Sequence, residues 1–243
     1  MMKIELSVPG SWREVTLPQL RILAEHSLIG LTREASELVL FCKLAGLMVV
    51  PSPTPDGESL NGILKCRDAQ GREFELEGWQ LADFCKRLAW FYDEMPFDIV
   101  CPVSVNPHLL STSFGDYFHA DALMFGFSTT NDIDLVRQAM ADLGDKRKKI
   151  TAVDAMMMQL WWRGFKQWLF NEYPFVFEGS KDTVDETYSP LKARQNIMLI
   201  LNEGHPQDND AIEQSNMHDV LSALQHQIEI AKKEEEMMRK YKS

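Results

Sequence analysis

The segment Met156-Met157-Met158-Gln159-Leu160-Trp161-Trp162-Arg163-Gly164-Phe165-Lys166-Gln167-Trp168-Leu169-Phe170 constrains the fold most. At helical periodicity, positions 153, 157, 160, 161, 164, 165, 168 and 169 share one face. Met158, Trp162 and Phe170 add a second apolar face. A helix apolar nearly all round has to be covered on most sides, so the chain is expected to build its core around it. Thr151, with Asp154 three residues on, predicts a capping box that opens this helix. The competing reading leaves Met158 and Trp162 on a Met-rich, aromatic surface for a client peptide.

The flanking sequence is read as mainly helical with a small antiparallel sheet, an α+β chain. Ile4, Leu6 and Val8 alternate with Lys3, Glu5 and Ser7, the period of a half-buried strand over 2–8. Residues 62–68 and 72–78 flank Asp68-Ala69-Gln70-Gly71, a hairpin signal with Gly where the backbone turns left-handed. These three strands are expected to form the sheet. Helical spacing recurs from Leu17 to Leu28, from Thr32 to Ala45, from Gly78 to Tyr92 and from Phe114 to Ser128. It returns after Asp132, after Pro190, and from Asp210 or Ser215 to the C-terminus. The polar run Gly179–Ser189 reads as a linker. It divides a core domain, 1–178, from a helical C-terminal appendage, 190–243.

In the last helix Met217, Leu221, Leu224, Ile228, Ala231, Glu235 and Met238 alternate spacings of four and three, a heptad seam. Glu229 with Lys233 and Glu236 with Lys240 are spaced to support an exposed helix. The helix is therefore either docked at its first half and solvated beyond, or an arm for self-association or a partner. Met158, Trp162, Leu221, Leu224, Ile228 and Met238 are the candidate partner-binding residues.

Lys and Arg total 25 against 36 Asp and Glu, a formal charge of −11, which disfavours a general nucleic-acid role. Lys146-Arg147-Lys148-Lys149 is a short basic run without interleaved aromatics and reads as a solvated connection. Cys42, Cys66, Cys85 and Cys101 form no C-x-x-C pair; Cys42 and Cys85 read as small buried hydrophobes, a usage that fits a reducing cytosol. No stretch is long and apolar enough to span a membrane. Asp116 and His119, three apart, share a helix face and are the one candidate pair of metal ligands, but no third ligand is specified. The sequence carries no nucleophile elbow, phosphate-binding loop or dinucleotide fingerprint. No catalytic residue, metal or cofactor is therefore expected, and the chain is read as a non-enzyme.

The opening Val8-Pro9-Gly10-Ser11-Trp12-Arg13-Glu14-Val15-Thr16-Leu17-Pro18-Gln19-Leu20 resembles the pattern P-x-S-W-x-E-[VL]-T-x-x-Q of small phage and prophage proteins encoded among tail genes. The charged closing helix, Asp219 to Lys242, is compatible with that group. Such proteins resemble tail assembly chaperones. The resemblance implies a helical, non-enzymatic binder of a long hydrophobic helical client, such as a tape-measure protein, in the cytoplasm of a bacterial host. The alternatives are a virion or baseplate structural subunit and a metal-dependent hydrolase centred on Asp116 and His119.

Overall fold

The computed structural model describes residues 6–29, 33–50, 63–92, 101–102, 104, 106–177, 190–202 and 205–242. They are mainly helical with one three-stranded antiparallel sheet, the α+β class expected. The chain divides into two compact units, Met1–Val100 and Cys101–Ser243.

In the first unit, α1 (Leu17–Ser27) begins where Thr16 N–H donates to Gln19 Oε1 at 2.9 Å, with Pro18 in the first turn, where its missing N–H costs little. Its buried Leu20, Leu23 and Ala24 form one face, and α1 packs on α2 (Arg33–Leu44), whose Leu40 and Phe41 are fully buried. Trp12 meets Trp90 edge to face at 5.1 Å, and the Trp90 indole donates to the Pro9 carbonyl at 2.9 Å.

The sheet corrects one expectation. Its order is β1 (Met48–Val49), β2 (Ile63–Arg67) and β3 (Glu73–Glu77). Within the expected strand 2–8, residues 2–5 lie outside the described set and Leu6–Val8 are not strand. The third strand comes instead from the chain leaving α2. Gly46 turns there at φ 67°, Leu47 N–H reaches back to Cys42 O at 2.8 Å, and Val50 N–H donates to Lys65 O at 2.9 Å. Alternation at 2–8 signals an extended segment but names no pairing partner. The hairpin is as the sequence predicts. Asp68 Oδ1 accepts from the Gln70 and Arg72 backbone N–H groups, and Gly71 takes φ 80°. Lys65 opposes Glu75, and Arg67 pairs with Glu73 across the strands. The sheet leads into α3 (Gly78–Arg87), which packs on α2.

The second unit holds α4 (Phe114–Thr130), α5 (Ile133–Asp142), α6 (Ala152–Glu172), α7 (Pro190–Leu201), α8 (Asn209–Gln214) and α9 (Met217–Lys242). Asn131, left-handed at φ 56°, ends α4, and Asp132 caps α5 by accepting from Asp134 N–H at 3.0 Å. The two helices approach so closely that a Cβ at Gly126 would lie 3.1 Å from Leu135 Cδ1. The capping box at α6 forms: Asp154 N–H donates to Thr151 Oγ1 at 3.2 Å, and Thr151 N–H to Asp154 Oδ2 at 2.8 Å. Met157, Met158, Trp161, Trp162, Phe165 and Leu169 are buried, so α6 is the core of this unit. Asp121 of α4, itself buried, accepts from Trp162 Nε1 at 3.2 Å and pairs with Lys166 Nζ at 2.9 Å, fixing α4 to α6.

The boundary between units falls at 100/101, and residues 179–189 lie outside the described set. The expected appendage is part of the second unit because α7, α8 and α9 all pack on α4. The start of α9 is stitched to the segment before α4. Phe114 N–H donates to Ser215 O at 2.9 Å, Met217 N–H to Thr112 O at 3.0 Å, and the Asn216 amide to Leu110 O at 2.6 Å.

Candidate functional site

Four of the six candidate partner-binding residues are covered. Met158 and Trp162 are buried in α6, and Leu221 and Leu224 are buried along α9. In the folded unit they pack the core. The sequence left both readings open because aromatic and heptad spacing suits a core seam and an interface equally. Ile228 is half-buried, and Met238 is 60% exposed.

The seam of α9 therefore docks up to about Ile228 and then runs free. Tyr173, at the end of α6, bonds His218 Nδ1 at 2.8 Å, while His218 Nε2 bonds the His108 carbonyl at 2.7 Å. A carbonyl only accepts, so Nε2 carries the proton and Nδ1 accepts from the tyrosine hydroxyl. Further along, Gln225 Nε2 donates to Glu172 O at 3.4 Å, and Lys232 Nζ sits 4.7 Å over the Phe175 ring. Beyond Lys232 the described side chains are exposed.

That exposed portion carries Ile230, Met237, Met238 and Tyr241, the last 91% exposed. Ile230 and Met237 are one heptad apart and Tyr241 one turn further, so these three form a stripe about 150° round the helix from the docked seam. Salt bridges within the helix support this portion, Glu229 with Lys233 at 2.8 Å and Glu235 with Arg239 at 2.7 Å. The spacing of the stripe was present in the sequence, but the stronger seam of 217, 221, 224 and 228 on the other side of the helix masked it.

Asp116 and His119 lie on a separate feature, a cleft of about 640 Å³ walled by α4, α7 and α8. Phe118, Ala122 and Leu191 supply apolar wall, and Arg194 and Glu213, paired with each other, supply the polar edge. A Cβ at Gly115 would fall 3.2 Å from Glu213 O, so α8 lies hard against the first turn of α4. Asp116 is engaged as a cap partner: it accepts from Ser113 Oγ at 2.7 Å, and its own N–H donates back at 3.1 Å. His119 Nδ1 lies 2.8 Å from Asp142 Oδ2. Burial pushes the Asp142 carboxyl above its ordinary range against the pull of His119, with repulsion from Asp116 adding a little. Such a carboxylate orients an imidazole, but Ser113 Oγ is committed to Asp116. Among the described residues no three His, Cys, Asp or Glu side chains are placed to hold a metal.

The basic run is drawn into structure at one position. Arg147 Nη2 bonds the Pro102 carbonyl at 2.7 Å and pairs with buried Asp145 Oδ2 at 2.8 Å. No described helix is long and apolar enough to cross a membrane. Comparison with known proteins finds no matching family model, no similar curated protein and no similar solved structure.

Proposed function

We propose that the protein is a non-enzymatic binding factor that holds a helical, apolar protein client against the exposed portion of α9. In this reading it is a phage or prophage tail-assembly factor working in the host cytoplasm, and the client is a segment of the kind found in tape-measure proteins. The supporting observation is the stripe of Ile230, Met237 and Tyr241 on a helix whose other apolar seam is already covered. An amphipathic helix offering anchors at heptad and one-turn spacing suits a second helix lying along it. Lys233 and Lys240 on one side and Glu234 on the other flank the stripe and would set the register.

The test is co-expression with a phage tape-measure protein, followed by copurification. Wild-type chain is expected to retain the client, and the double variant Met237→Lys, Tyr241→Lys to lose it with an unchanged melting temperature. Equal retention by both would reject the stripe. Mass spectrometry of purified particles separates this reading from a virion subunit, since an assembly factor is absent from the finished particle.

A further inference from the structure

His26, in the last turn of α1, is an imidazole with only 4% of its surface exposed. Three residues after Leu23, it extends the buried face of Leu20, Leu23 and Ala24. It reaches across to α2, where Nε2 bonds Ser36 Oγ. The Phe91 ring, in the short turn Ala89–Tyr92, covers it edge-on with centroids 6.2 Å apart. Among the described residues Nδ1 has no hydrogen-bond partner, although the atom is buried. The charged group that acts on the ring is Lys43 of α2, while Glu37 of the same helix acts on Cys85 of α3.

We propose that the His26–Ser36 contact is an acid-sensitive latch, whose protonation releases α1 from α2. A neutral imidazole fits the site. Whichever nitrogen carries its proton, Ser36 answers at Nε2, because a hydroxyl both donates and accepts. Imidazolium does not fit. Both nitrogens then donate, and Nδ1–H meets no acceptor among the described residues. A buried donor left unmatched is costly, more so when it carries charge, and Lys43 adds like-charge repulsion. Once α1 lifts away, water supplies the missing acceptor, so proton uptake and opening are coupled. One proton moves from solvent to the ring, and no covalent bond changes.

Burial first, and Lys43 second, hold the imidazole below its ordinary value of about 6.5. The closed unit therefore binds this proton less readily than the opened one. The stabilisation is complete above about 6.5, weakens as pH falls below it, and is lost once pH has passed through the depressed folded-state value. Release uncovers Leu20, Leu23 and Ala24, which are fully buried in the closed unit. The latch uses no residue of α9 and stands apart from the client-binding reading.

The experiment measures amide hydrogen exchange of the full chain at pH 7.5 and pH 5.5, corrected for the intrinsic pH dependence of exchange, together with an NMR titration of the histidine rings. Protection over residues 20–27 is expected to fall about fivefold at the lower pH, with α6 unchanged, and the His26 ring to titrate below its ordinary value. His26→Gln keeps a side chain able to bond Ser36 but takes up no proton, so protection over 20–27 should be the same at both pH values. Lys43→Gln, at a half-buried position, leaves the histidine in place and should move its titration upward. That variant and the wild-type titration decide the matter even if His26→Gln does not fold. Titration of wild-type His26 at or above its ordinary value would overturn the latch. So would the same loss of protection at pH 5.5 in His26→Gln as in wild type.

Discussion

Trp161 and Trp168 stand on one face of α6 but differ in surroundings. Trp161 is fully buried and stacks on Phe165 at 5.4 Å, whereas Trp168 is half-buried between the His108 and His218 rings. Deleting a core aromatic costs about 3–5 kcal/mol. Urea denaturation of Trp161→Ala is expected to show a loss in that range, and Trp168→Ala a smaller one. Asp145 offers a test in pH. Burial alone would raise its carboxyl, but hydrogen bonds from the Arg147 side chain and backbone and from Ser104 N–H outweigh this and hold it below its ordinary value. A depressed folded-state value means the stabilisation is complete above the unfolded value of about 3.9 and is lost as pH falls through the folded-state value. Acid titration of stability should therefore be shallower for Asp145→Asn than for wild type. The variant should already be weaker at neutral pH.

The last helix divides at the point where its partners end. Deleting 230–243 removes Lys232 from the Phe175 ring, a contact worth about 0.5–1 kcal/mol, and little other packing. The melting temperature is expected to change by only a few degrees. Deleting 217–243 strips Met217, Val220, Leu221 and Leu224 from the core and the His218 bonds from the end of α6, and is expected to unfold the second unit. Circular-dichroism melting of both truncations checks this. Elements governed by local chemistry were readable from sequence: the Thr151–Asp154 box, the Asp132 cap and the Gly71 turn each depend on residues a few positions apart. The short strand Met48–Val49 was not, because its identity depends on pairing with Cys66 rather than on its own two residues. The cleft brought together the pair Asp116 and His119 as their spacing suggested, while Asp142, Arg194 and Glu213 carry no motif that points to it.

Two compact units divide the chain near residue 100. The second unit has its own buried helix and its own closing helix, which is what independent folding requires. Residues 101–243 expressed alone are therefore expected to unfold cooperatively in urea, with Trp161, Trp162 and Trp168 reporting. A broad, non-cooperative loss of fluorescence would mean that the first unit is needed to complete the core. The binding reading depends on the same unit, through the free portion of α9. Amide hydrogen exchange of the full chain, measured with and without a helical tape-measure segment, examines that portion residue by residue. The predicted result is rapid exchange over 230–242 in the free chain and strong protection of those amides when the segment is added, with 217–224 slow in both states. Unchanged exchange over 230–242 in the presence of the segment, or new protection confined to other helices, would contradict the proposal that α9 is where the client is held.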